Sequence, residues 1–155
     1  MNRQAITTAF DELLQPGQRG ALFFIDLDGF KALNDHHGHK FGDNLLVHVA
    51  HSLVEHSGVQ AKIARLGGDE FVIVLPTSDI EALGMLAQSL LDVYRQRFLL
   101  DGCEVAISLS IGIDIFEYGD RFAQSCDRAD AAMYRIKHQG KNGYSFSRNE
   151  SAIDR

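Results

Sequence analysis

The sequence predicts a single α/β sandwich, and three observations carry that prediction. Ala21-Leu22-Phe23-Phe24-Ile25 is a short continuous apolar run, the pattern of a buried central strand. Val105, Ile107, Leu109, Ile111 and Ile113 alternate with Ala106, Ser108, Ser110, Gly112 and Asp114, which is the period of a strand with one small face. Around these runs lie four stripes of apolar residues at helical spacing. The resulting order is helix, strand, helix, hairpin, helix, strand, helix, short strand.

The first helix runs from about Arg3 to Leu14, with Ile6, Phe10, Leu13 and Leu14 on its apolar face. Pro16-Gly17 ends it. The strand Ala21–Asp26 follows, and Asp28 stands where it would cap a helix starting near Gly29. Leu45, Leu46, Val49, Ala50 and Leu53 mark the next helix. Ile63 to Leu66 and Phe71 to Leu75 form a hairpin around Gly67-Gly68, since both glycines tolerate positive φ. Ile80, Leu83, Ala87, Leu90, Leu91 and Tyr94 define another helix. The small face of the alternating strand would admit a closely packed helix. Phe122, Cys126, Ala129, Met133 and Ile136 define the last long helix, and Tyr144-Ser145-Phe146 reads as a short edge strand. Phe23, Phe24 and Phe71 belong to the core. The polar stretch 147–155 reads as a tail or linker.

The chemistry concentrates in two places. Arg65-Leu66-Gly67-Gly68-Asp69-Glu70-Phe71 puts two adjacent carboxylates at a hairpin tip. Packed carboxylates repel one another unless a cation lies between them, and a hard metal ion suits such oxygen donors. Asp26 closes the buried strand and leads into Leu27-Asp28-Gly29-Phe30-Lys31. Free N–H groups at the helix start there would attract phosphate. A strand-end carboxylate, a hairpin pair and a phosphate-binding helix start together suggest metal-assisted phosphoryl or nucleotidyl transfer. Taken alone, Asp26 also fits an ordinary turn aspartate, and Gly67-Gly68 a plain hairpin turn.

Composition narrows the classes. With 155 residues, 45% hydrophobic and 23% charged, the chain suits one globular domain with a sizeable core. No apolar run approaches the ~20 residues of a membrane span. A net charge of −6 argues against a nucleic-acid-coating protein. Cys103 and Cys126 fit neither a disulfide framework nor a metal site, which suits a reducing, cytoplasmic setting. His36, His37 and His39 lack the further ligands of a transition-metal site and read as loop residues.

Six blocks in order resemble the GGDEF family, the diguanylate cyclases. They are Phe24 to Lys31 with Asn34-Asp35; Gly38-His39 with Gly42-Asp43; Arg65 to Phe71; Ser108 to Gly112; Ala129 to Tyr134; and Lys137 with Gly140-Lys141-Asn142. The resemblance implies a mainly antiparallel sheet flanked by helices, like the palm of polymerases and nucleotide cyclases, over residues 1–146. It implies condensation of two GTP into cyclic di-GMP, a bacterial second messenger, with release of two pyrophosphates.

The family's motifs also imply roles. Asp26, Asp69 and the Leu27 carbonyl would bind Mg²⁺ or Mn²⁺, and Glu70 would either complete that site or help deprotonate the attacking hydroxyl. Asn34 and Asp43 would read guanine, since an amide and a carboxylate complement its edge. Phe30, Lys31, Gly67 and Gly68 would surround the phosphates, and Lys137 and Lys141 would hold them. Each of these also has an ordinary reading: a cap or loop residue for Asn34 and Asp43, a solvated helix-end charge for the lysines. Lys141 stands where arginine is usual, which removes the bidentate fork. Gly58 and Ala61 stand where many cyclases carry an Arg-x-x-Asp product-inhibition site, which is thus expected to be absent.

One domain would bind one GTP, so two copies must face each other. The chain begins just after the family's Asp-x-Leu-Thr opening, so pairing is expected to be weak here. An upstream sensory domain is expected in the whole protein, and the family leaves room for a phosphodiesterase domain downstream. No nucleic-acid partner and no membrane contact by this domain are expected. The rival reading is a catalytically weak GTP-binding module that regulates a neighbouring domain.

Overall fold

The computed structural model describes residues 1–148. Of the polar tail read at 147–155, residues 149–155 lie outside the described range. The elements are α1 (Arg3–Leu13), β1 (Arg19–Asp28), α2 (Phe30–His37), α3 (His39–Ser57), β2 (Lys62–Gly67), β3 (Glu70–Leu75), α4 (Ile80–Val93), β4 (Phe98–Leu100), β5 (Cys103–Val105), β6 (Ser108–Glu117), α5 (Phe122–His138) and β7 (Gly143–Phe146). Five strands form one sheet in the order β2-β3-β1-β6-β7. All neighbours are antiparallel except β6 and β7. The mainly antiparallel sandwich is thus the observed fold.

β1 is central because it can be buried on both faces. Ala21, Phe23, Ile25 and Leu27 pack under α3 and α4 with Leu45, Leu53, Leu83 and Leu90. Leu22 and Phe24 pack under α1 and α5 with Ile6, Phe10, Phe122 and Met133. Period-two alternation sends Asp26 and Asp28 to the α1/α5 face. The small face of β6 does admit a helix closely. A Cβ added at Gly112 would collide with the Ala129 carbonyl of α5. On the same face Asp114 is fully buried. It accepts from Arg128 Nε at 3.0 Å and Nη2 at 2.9 Å, from Ser125 at 2.7 Å and from Ser147 at 2.5 Å. This hub ties β6, α5 and the segment after β7 together.

Four local expectations need correction. β1 does not end at Asp26 but continues to Asp28, which pairs with Ser108. Asp28 does not cap α2, whose N-cap is Gly29 at φ 83° with no side-chain cap. His36 and His37 are not in a loop: they end α2, and His39 begins α3 after Gly38 at φ 94°. Val105 belongs to β5 rather than to the long strand, because a small hairpin, β4–β5, precedes β6.

Candidate active site

The site is assembled at one end of the three central strands. Glu70 opens β3 directly across from Asp26 in β1, and Ser110 of β6 lies across from Asp26 on the other side. Residues paired in this way present side chains to the same face. Asp69 occupies the tight β2–β3 turn, where Gly68 has φ 40° and its carbonyl accepts from Arg65 Nε at 2.9 Å. The Asp69 carbonyl in turn accepts from the Leu27 N–H at 3.4 Å, docking the turn onto β1.

Charge is crowded here. Burial and the adjacent Asp69 carboxyl push Asp26 from the ordinary 3.8 up to about 6, against the opposing pull of Lys137. Burial, then the Asp26 and Asp130 carboxylates, raise Glu70, and Arg3 partly offsets them. Asp130 on α5 is itself raised by burial, Asp127 and Asp26. Arg3 and Asp130 are therefore electrostatic members of the site that sequence reasoning missed. Asp130 lies inside the Ala129–Tyr134 block, where it could have been read as a charge; Arg3, at the head of α1, lies outside the six blocks.

Lys137 reaches in from α5. Its Nζ lies 3.2 Å from Asp26 Oδ2 and 2.7 Å from Asp28 Oδ1. These carboxylates outweigh burial and raise the lysine above its ordinary value. Burial alone would raise Asp28, but hydrogen bonds from Lys137, Ser108 and Ser110 outweigh it and hold Asp28 below the ordinary range.

The donor set fits a hard cation. Asp26 Oδ1 is buried with no hydrogen-bond partner among the described residues. A buried carboxylate oxygen left unpaired beside a second carboxyl is costly, and a small cation would satisfy both. No three His, Cys, Asp or Glu groups converge as a metal cage among the described residues. That suits Mg²⁺, which is typically held by one or two carboxylates together with substrate phosphates.

The other expected residues are spread around this centre. Asp43 is exposed on α3 and borders a cavity of about 460 Å³ with Leu46, Val47, Arg65 and Phe71. That volume falls within the roughly 300–1,000 Å³ of small-molecule sites. Asn34 does not border this cavity. Its side chain packs on Gly42, and its Nδ2 lies 3.2 Å from His39 Nδ1. Phe30 packs against the α3/α4 core and Lys31 is exposed, both in the first turn of α2. Gly67 and Gly68 are exposed, with open space where side chains would stand. Lys141 lies in the turn after α5 at φ 66°.

Residues 1–143 match the family described as diguanylate cyclase, GGDEF domain. The chain belongs to the GGDEF family. This GGDEF domain is 42% identical over 139 residues to the bifunctional diguanylate cyclase/cyclic di-GMP phosphodiesterase MucR of Pseudomonas aeruginosa. That match spans 89% of the chain but only 20% of MucR. It is 31% identical to diguanylate cyclase A of Treponema denticola, over 83% of the chain and 35% of that protein. The domain thus spans a minor part of these curated relatives. In three dimensions it resembles the GGDEF domain of PA1120 (YfiN or TpbB) from Pseudomonas aeruginosa, with TM-score 0.88 and 31% identity, covering 97% of this chain and 98% of that one. Among the described residues no helix is long and apolar enough to cross a membrane.

Proposed function

We propose that this GGDEF domain condenses two GTP into cyclic di-GMP, each of two facing copies holding one nucleotide. The observation that carries this is the Asp26–Asp69–Glu70 cluster, in which a buried Asp26 oxygen accepts no hydrogen bond from any donor among the described residues. Asp26, Asp69 and the Leu27 carbonyl would hold Mg²⁺ or Mn²⁺, with Glu70 beside them. Such an ion, when bound, neutralises charge on the phosphate undergoing attack and lowers the pKa of the hydroxyl.

The chain's own groups supply the rest. Asn34 and Asp43 orient guanine by hydrogen bonds to its polar edge. Lys137, Lys141 and the uncapped N–H groups at the start of α2 hold the phosphates, with Phe30 and Lys31 flanking them. Gly67 and Gly68 leave room for the α-phosphate. The 3′-hydroxyl oxygen of one nucleotide forms a bond to the α-phosphorus of the other. The α–β phosphoanhydride bond breaks and pyrophosphate leaves with its electron pair. Glu70, whose carboxyl holds a proton more tightly than usual, is suited to receive the hydroxyl proton. The same exchange in the opposite sense closes the ring.

A second reading, a GTP-binding regulatory module, draws support from Lys137, which already pairs with the carboxylate that would bind metal. The test is pyrophosphate release from GTP by the wild type, Asp69→Ala and Glu70→Ala. Release by the wild type alone supports the cyclase. GTP binding with no release in any of the three supports the module.

A further inference from the structure

We infer that Asp28 is the positioning residue that sets Lys137 and the Lys141–Asn142 turn in place to grip a triphosphate. This rests on reading the site as a GTP site. Asp28 is the last residue of β1 and only 6% exposed. Four donors from three parts of the fold converge on it. Ser108 Oγ donates to Oδ2 at 2.6 Å and Ser110 Oγ to Oδ1 at 2.8 Å, both from β6. Lys137 Nζ donates to Oδ1 at 2.7 Å from α5, and the Asn142 N–H to Oδ2 at 3.1 Å from the turn beyond it. A carboxylate has about four lone-pair sites, so Asp28 has none left for a ligand. Its work is therefore done through the groups it holds.

Those groups need holding. Lys141 and Asn142 have φ of 66° and 52°, directly after Gly140 at 113°. Asparagine visits this region readily as a single residue, but lysine does not, and successive left-handed residues persist only when their surroundings fix them. Two bonds do so here: Lys141 N–H to the Ile136 carbonyl at 2.9 Å, and Asn142 N–H to Asp28. Lys137 in turn has three N–H donors. Asp28 and Asp26 take two, which leaves one for a phosphate oxygen. The serine pair thus braces a carboxylate, and the carboxylate sets one lysine and the backbone that carries another.

The test uses Asp28→Asn, Lys137→Met and the double variant, with GTP kinetics and calorimetry with Mg²⁺ and inorganic pyrophosphate. Amide exchange at Asn142 provides a readout that needs no nucleotide. Losing the carboxylate that orients Lys137 and the Asn142 turn, or losing Lys137 itself, should raise KM for GTP and weaken pyrophosphate binding by about tenfold, with kcat changing less. The double variant should be no more than about twofold worse than the worse single, because the two residues act as one unit. Asn142 exchange should quicken in Asp28→Asn and not in Lys137→Met. An unchanged KM in Asp28→Asn, or losses that multiply in the double variant, would overturn the inference. Should Asp28→Asn fail to fold, Ser110→Ala should show the same KM and exchange changes at about threefold, and no change in either would overturn it. If the wild type neither turns over GTP nor binds pyrophosphate, the GTP reading falls. Asn142 exchange then still decides whether Asp28 holds the turn.

Discussion

Replacing Asp26 with asparagine should abolish activity and yet stabilise the metal-free fold. Asp26 sits mostly out of water beside Asp69, and its carboxyl is raised from 3.8 to about 6. At roughly 1.4 kcal/mol per tenfold change in proton affinity, ionising it in the folded state costs up to about 3 kcal/mol. Lys137 already lowers that cost from one side, and the side chain is 19% exposed, so about 1–2 kcal/mol is the expected gain from Asn. The sign follows from the raised value. Well below 3.8 the group is protonated in both folded and unfolded chains and costs nothing. Between 3.8 and about 6 the unfolded chain ionises while the folded one still holds its proton, so the cost builds over that window and is complete above about 6. Asparagine removes that fall, and Lys137 keeps its bond to Asp28. In EDTA at about pH 7.5, Asp26→Asn should therefore melt roughly 2–8 °C above the wild type, and at about pH 4.5 the gap should shrink to about a third of that. Denaturant unfolding at the two pH values measures the same difference. A variant less stable than the wild type at about pH 7.5, or a gap independent of pH, would refute the reasoning.

Three further outcomes follow. Gly112→Ala should lower stability by about 1–3 kcal/mol in thermal unfolding, because its Cβ would stand 2.5 Å from the Met133 nitrogen as well as against the Ala129 carbonyl. Inhibition by cyclic di-GMP should be purely competitive with GTP, since Gly58 is the bare glycine at the end of α3 at φ 86° and Ala61 offers only a methyl; a non-competitive component in initial-rate kinetics would contradict this. On the proposed mechanism, in which two copies each hold one nucleotide, specific activity should rise with enzyme concentration over a ~100-fold range, and sedimentation should show mostly monomer where it is low.

Much of this molecule was legible in the sequence because its pattern and its chemistry agree. The run 21–25 is apolar at every position because β1 is covered on both faces, and the alternation of β6 reports one face packed on α3 and α4 and another on α5. The misreadings have local physical causes. The sequence places the end of β1 at Asp26 because acids do not usually continue a buried strand. Here Ser108, Ser110 and Lys137 satisfy Asp28, so pairing runs two residues further. One glycine at positive φ, Gly38, divides α2 from α3, too brief a break to show in a periodicity. The β4–β5 hairpin did carry a readable signal, Asp101-Gly102 between apolar residues, and both have positive φ in the turn. At the site, Asp69 and Glu70 could be read from their glycine mount. The work of Asp28 could not, because it depends on donors 80 to 114 residues away, three side chains and one backbone N–H, meeting from β6, α5 and the turn after α5.

The measurement that bears most directly on the central claim is mass analysis of products after incubation with GTP and Mg²⁺. The account predicts a species of two GTP less two pyrophosphates from the wild type, none from Asp69→Ala or Glu70→Ala at a melting temperature no lower than the wild type's, and none when ATP replaces GTP. Recovery of unchanged GTP from the wild type at high enzyme concentration, or equal product from either carboxylate variant, would contradict it.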